Sequence, residues 1–90
     1  MNNNPGVYIL QSLKNCRYYI GSTNNLQRRL KEHNDGRVNA TKYIAPLELK
    51  VFIKCDNIEN ARKAEYRLKK YKSKKIVEKV LRSNTFPWEY

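Results

Sequence analysis

Ninety residues, 40% hydrophobic and 30% charged, suffice for one small domain; they exclude a two-domain architecture and are too apolar for a disordered tail. Nineteen Lys and Arg against eight Asp and Glu leave a formal net charge of +11, which favours polyanionic partners, nucleic acid first among them. No run approaches the about 20 apolar residues that cross a bilayer, and Met1-Asn2-Asn3-Asn4-Pro5 lacks the apolar core of a signal peptide, so the expectation is a soluble, cytoplasmic chain.

The first element is the β-branched and aromatic run Val7-Tyr8-Ile9-Leu10, and the second is Tyr18-Tyr19-Ile20; the polar segment 12 to 17 between them predicts a hairpin, with Gly21 ending its second strand. Thr23 or Asn24 is placed to cap a helix anchored by Leu26 and Leu30, which share a face with Asn34, and Asp35-Gly36 closes it. Residues 35 to 46 have little periodicity and read as a basic loop carrying Lys42 and Tyr43. From 47 to 55, Leu47, Leu49, Val51 and Ile53 alternate with Glu48, Lys50, Phe52 and Lys54; this predicts a third strand, with Phe52 a bulky exception on its polar face. Asp56 or Asn57 caps a helix running to about residue 72 on Ile58, Ala61, Leu68 and Tyr71, and a short helix follows on Ile76, Val77, Val80 and Leu81. The tail from 83 to 90 either packs back through Phe86-Pro87-Trp88 or lies loose. Strand, strand, helix, strand, helix, helix is an α+β order, a three-stranded antiparallel sheet flanked by three helices. Cys16 and Cys55 stand apart, with neither zinc-site spacing nor a disulfide framework, and read as reduced packing residues.

Most of the charge sits late in the chain. Arg62, Lys63, Arg67, Lys69, Lys70, Lys72, Lys74, Lys75, Lys79 and Arg82 face only Glu65 and Glu78, which places +8 of the +11 in that segment. Either this is a solvated lysine face or it contacts phosphates, in which case affinity for duplex DNA falls with salt at a log-log slope of about −0.9 per contact.

Glu65 breaks the pattern of its helix. At about 100° per residue it lies about 20° from Ile58 and 40 to 60° from Ala61 and Leu68, inside the apolar stripe. A carboxylate there needs a cation, a metal or an opening to solvent. Arg29 and His33 pose the same puzzle one helix earlier, four residues apart and within about 60° of the Leu26 and Leu30 stripe. Arg29 offers a fork for a phosphate oxygen and His33 a proton-transfer group near neutral pH, although an Arg29 to Glu65 bridge would account for both charges structurally. Tyr8 and Tyr19, on paired strands, bring two hydroxyls toward one side of the sheet or serve as packing residues.

Together these residues carry a resemblance. Gly6-Val7-Tyr8, then Tyr19-Ile20-Gly21 after a gap of ten residues, then Arg29 and His33, and Glu65 within Ala64-Glu65-Tyr66-Arg67-Leu68-Lys69 resemble the GIY-YIG nuclease family. Gly21-Ser22-Thr23-Asn24-Asn25-Leu26, Arg29-Leu30, His33-Asn34, Thr41-Lys42-Tyr43 and Pro46 look like its small single-domain bacterial members, and the likeness runs from about residue 6 to residue 75. The resemblance implies one nuclease domain over 1–90 with a short tail from about 83, hydrolysing DNA phosphodiesters with one divalent ion, Mg²⁺ or Mn²⁺. Its site residues would be Tyr8, Tyr19, Arg29 and Glu65, with Glu65 the metal ligand and His33 an accessory position found in part of the family. Two departures stand out: Val7 replaces the family's Ile, and Val77 stands about a dozen residues beyond the glutamate, where larger members often carry Asn.

In that reading Arg29 stabilises charge on the transition state, and Tyr8 or Tyr19 activates the water once its phenolate is stabilised. Lys42, Tyr43, Arg67, Lys69 and Lys70 are the expected nucleic-acid contacts. The partner is DNA, with RNA the second candidate, and neither a membrane nor a small-molecule cofactor is expected. Without a targeting domain the expected cutting has low sequence specificity, on branched, nicked or damaged DNA. The competing expectation is a binding module of weak or no activity, holding nucleic acid on basic helices 58–82 in a helix-turn-helix arrangement. An anionic-membrane or protein-interaction role ranks third, because the lysines lie on several faces with few bulky aromatics among them.

Overall fold

The β-branched run near the N-terminus becomes the central strand of a three-stranded antiparallel sheet of order β2-β1-β3. In the computed structural model, which describes residues 4–89, β1 is Gly6–Ser12, β2 Tyr18–Thr23 and β3 Leu47–Lys54. Three helices follow the expected order, α1 (Leu26–Asn34), α2 (Ile58–Lys70) and α3 (Lys74–Ser83), and a 3-10 turn over Pro87–Glu89 ends the described chain. The fold is the α+β arrangement expected. Met1, Asn2, Asn3 and Tyr90 lie outside the described residues, and with them most of the N-terminal reading and the end of the tail.

β1 is covered on both faces, as a central strand rich in Val, Ile, Leu and Tyr requires. Val7 and Ile9 join a core with Ala61 and Leu68 of α2 and Val77 and Val80 of α3. Tyr8 and Leu10 face the other way, into a second cluster with Leu26 and Leu30 of α1. Asn34, on that leucine face, accepts from the Leu47 backbone N–H at 2.7 Å and donates to its carbonyl at 3.1 Å, which fixes the end of α1 to the start of β3.

The third strand does not keep one face throughout. Ile9 pairs with Val51 but Leu10 pairs with Leu49, so Lys50 is an extra residue in a β-bulge. One extra residue reverses every later side chain. Leu47 and Leu49 therefore pack on the α1 side, whereas Val51 and Ile53 pack on the α2 and α3 side. Phe52 is no exception on a polar face; it belongs to the α1-side cluster with Tyr8.

Several boundaries shift for local reasons. β2 continues through Gly21 to Thr23, because Gly21 stays in the ladder opposite Tyr8. The cap of α1 is accordingly Asn25, accepting from Arg28 N–H at 3.1 Å, not Thr23 or Asn24. Asn57 caps α2, which stops at Lys70 with Tyr71 as its C-cap, and Lys72 in the left-handed region separates it from α3, capped by Ser73. The tail packs back: Phe86 is buried in the core and stacks on Trp88 with ring centroids 4.7 Å apart. Cys16 is not a packing residue, since the hairpin turn puts it in the left-handed region with its side chain exposed; Cys55 is half-buried. No helix among the described residues is long and apolar enough to cross a membrane.

Candidate active site

The site forms on the α1 face of the sheet and reaches past the outer edge of β2, where no further strand among the described residues pairs with it. Tyr8, in the middle of β1, is 1% exposed and its ring lies across Gly21 of β2. A Cβ on Gly21 would run into the Tyr8 hydroxyl and ring, so the last glycine of Tyr19-Ile20-Gly21 is a space requirement of the first tyrosine. Gly6 is constrained likewise by the Phe52 ring and the Ile53 carbonyl.

The last turn of α1 places His33 beneath these strands, fully buried. Its Nε2 is 2.8 Å from the Tyr8 hydroxyl and its Nδ1 is 2.7 Å from Thr41 Oγ1, also fully buried. Burial, and secondly the Arg29 charge, pull the His33 pKa down to about 4, so the ring is neutral at pH 7. A neutral imidazole has one donor and one acceptor nitrogen. With Nδ1–H donating to Thr41, Nε2 accepts from the Tyr8 hydroxyl, and Thr41, His33 and Tyr8 form one chain of hydrogen bonds. Tyr19, half-buried, sets its ring edge-on to His33 at 5.0 Å between centroids and 6.4 Å from the Tyr8 ring.

Burial pushes the Tyr8 hydroxyl up to about 12, and the neighbouring Arg29 guanidinium pulls partly against it. Arg29 is held above its ordinary value by the same hydroxyl first and by Glu32 after it. Its Nη1 pairs with Glu32 Oε1 at 3.2 Å, one helical turn away. Glu65 is engaged elsewhere, accepting from Ser22 Oγ on Oε1 at 2.5 Å and from Lys69 Nζ on Oε2 at 2.5 Å. The Arg29 to Glu65 bridge that would have explained both charges structurally is therefore replaced by two separate pairs. Glu65 still acts on the site, since its charge is one of those that raise the Tyr8 pKa. Ser22, Arg29, Glu32 and Arg62 line a polar cleft of about 340 Å³ between α1 and α2.

Of the residues singled out in the sequence, Tyr8, Tyr19, Arg29 and His33 come together directly, and Glu65 flanks them from α2. Lys69 joins them through Glu65, with its Nζ 5.7 Å from the centre of the Tyr19 ring. Lys42 and Tyr43 follow Thr41 on the loop that holds His33, and Tyr43 is 74% exposed with Lys42 Nζ 4.9 Å from its ring centre. Arg67 and Lys70 lie apart from the cluster: Arg67 stacks over Trp88 of the tail at 4.3 Å and Lys70 over Tyr66 at 4.5 Å. Sequence reasoning missed Thr41, Glu32 and Ser22. The i,i+3 spacing of Arg29 and Glu32 was a usable signal, whereas the other two contacts join residues whose proximity only the fold reveals.

Among the described residues no three His, Cys, Asp or Glu side chains cluster as a metal cage. A partly exposed single carboxylate does suit Mg²⁺, which keeps most of its waters and takes one or two carboxylates beside substrate phosphates. Glu65, its side chain 21% exposed, has the chemistry for that role, with Lys69 now on its Oε2 and Ser22 on its Oε1.

The GIY-YIG catalytic domain model matches residues 4–78. The chain is 38% identical over 74 residues to UPF0213 protein YazA of Bacillus subtilis (strain 168), covering 81% of this chain and 74% of that protein. It is 40% identical over 65 residues to UPF0213 protein CPE1444 of Clostridium perfringens (strain 13 / Type A), covering 71% and 69% respectively. No solved structure gives a significant match.

Proposed function

The chain belongs to the GIY-YIG family, whose catalytic domain is a nuclease fold, and we propose that it is a metal-dependent endonuclease that hydrolyses DNA phosphodiesters at the Tyr8, Tyr19, Arg29, His33 and Glu65 cluster. One observation carries this reading: the buried Tyr8 hydroxyl has a proton acceptor, His33 Nε2, on one side and the Arg29 guanidinium close by.

The roles follow from that arrangement. Arg29 holds the scissile phosphate and stabilises the charge it gains in the transition state, a preorganised contact whose loss commonly costs about 10² to 10³ in rate. Tyr8 takes the proton of the attacking water while passing its own to His33. Passing its proton on keeps Tyr8 from holding a phenolate charge in a site where burial already disfavours one. A phosphate at Arg29 offsets the charge that depresses His33 and makes it a better base once substrate is bound. Thr41 keeps the imidazole oriented. Tyr19, more exposed than Tyr8, contacts the phosphate, and Glu65 holds one Mg²⁺ or Mn²⁺. When bound, that ion supplies charge neutralisation at the leaving oxygen.

The protruding Lys42 and Tyr43 extend the contact along the substrate, in keeping with the net charge of +11 and low sequence specificity on branched, nicked or damaged DNA. The engagement of both Glu65 oxygens by Ser22 and Lys69 favours the second reading, a binding module without turnover. The test is incubation of labelled single-stranded, duplex, nicked and branched DNA with the purified protein and Mg²⁺ or Mn²⁺, with and without chelator. Chelator-sensitive cleavage is expected; tight binding of every substrate with no product would establish the binding module instead.

A further inference from the structure

A second concavity lies on the other face of β2, and Lys69 borders it as well as Glu65. Its floor is apolar, formed by Tyr18 and Ile20 of the edge strand and Leu68 of α2, and its rim carries the exposed side chains of Arg17, Lys69 and Lys72. At about 400 Å³ it falls within the range of ligand sites, about 300 to 1,000 Å³. It stays open because among the described residues no strand pairs with β2 on this side and because Lys72, in the left-handed region beyond the end of α2, lets α3 leave in a new direction.

An apolar floor inside a ring of cations fits a flat uncharged group flanked by negative charge. A duplex presents its phosphates outward and hides its base faces, so it would engage the rim and leave the floor empty. A strand with an unpaired nucleotide offers both at once, a base face to lie on Tyr18 and Ile20 and phosphates for the lysines and arginine. Continuity points the same way, since Lys69 reaches from this rim over the Tyr19 ring to Glu65.

We propose that this groove seats an unstacked base of the nucleic-acid strand, next to the phosphate held at the catalytic cluster. The assignment rests on the nuclease reading for its direction along the strand. Among the substrates of that reading it favours those with an unpaired nucleotide beside the cut over fully paired ones.

The exposed Cys16 lines the groove, and the half-buried Cys55 lies outside it, so thiol alkylation reads occupancy with an internal reference. Glu65→Gln protein is saturated, as judged by fluorescence anisotropy, with a single-stranded oligonucleotide, with a duplex, or with an oligomer of equal length made wholly of abasic sites, and then treated with iodoacetamide. The base-bearing single strand should slow alkylation of Cys16 about tenfold, a stacking contact's worth, while the duplex and the abasic oligomer leave it nearly unchanged. Lys72→Glu should weaken binding of the single strand. Equal protection by all three ligands, no protection by any, or failure of the single strand to bind overturns the proposal. Wild-type cleavage is assayed in parallel: cutting without protection of Cys16 overturns the groove and spares the nuclease reading, and protection without cutting does the reverse.

Discussion

The Tyr8 hydroxyl and His33 Nε2 lie 2.8 Å apart inside the core, so the first motif tyrosine has a proton acceptor behind it before any substrate arrives. That contact accounts for a histidine on the buried side of α1, and in the proposed relay it gives the Tyr8 hydroxyl, whose pKa burial pushes to about 12, a place to pass its proton.

Removing the Tyr8 hydroxyl should abolish most turnover while leaving DNA affinity in place, and removing the Thr41 hydroxyl should lower turnover less. Tyr8→Phe keeps the packing and is expected to lower kcat by about 10² to 10⁴, the usual worth of a general acid or base. Thr41→Val frees the imidazole from its orienting partner and should cost less, with KM unchanged. Steady-state kinetics of both variants on one substrate checks this, and wild-type kcat in Tyr8→Phe would assign the base to Tyr19.

The buried neutral histidine also sets a pH dependence of stability. Its pKa is about 4 folded and near 6.5 unfolded, so as pH falls through that window the unfolded chain binds the proton first and stability declines. At pH 5 this amounts to about 2 kcal/mol relative to pH 7. Urea unfolding at the two pH values should show that loss in the wild type and a smaller one in His33→Asn; equal losses would mean that His33 titrates normally.

Much of this was legible in the residues. Alternation and β-branching located β1, β2 and β3, helical periodicity located α1 and α2, and Glu65, Arg29 and His33 stood out because charged or titratable groups fell on apolar stripes. The face reversal within β3 was not legible, because Leu49 and Val51 keep perfect alternation in sequence and only the pairing of Leu10 with Leu49 reveals the extra Lys50. Thr41 was hidden for a similar reason: a threonine in an aperiodic loop carries no sign that a histidine eight residues earlier turns toward it. The partner of Arg29 was misjudged because a long-range pair was weighed while the local Glu32, one turn away, was not.

Gly21→Ala puts a methyl group into the Tyr8 ring and hydroxyl. The expected cost is about 1 to 3 kcal/mol, as for overpacking generally, together with loss of activity through displacement of the hydroxyl from His33. Thermal unfolding, with cleavage measured on the folded fraction, checks both; a stable and fully active variant would show that the close approach is dispensable.

Lys69 competes for the carboxylate oxygen that a metal would use. Lys69→Ala should lower the Mn²⁺ concentration needed to saturate Glu65 in the absence of DNA, read by electron paramagnetic resonance of free Mn²⁺, while raising KM for DNA. Unchanged Mn²⁺ binding would place the metal elsewhere.

The central claim is that Arg29 and Glu65 are working groups of one site, each paired separately with neighbours and not consumed in a bridge to the other. Single-turnover cleavage by wild type, Arg29→Ala and Glu65→Ala, each shown to be folded and each saturated with DNA, tests it most directly. The account predicts that both substitutions reduce the rate by about 10² or more at full occupancy. A wild-type protein that cuts as fast as either variant, or no faster than buffer, would contradict it.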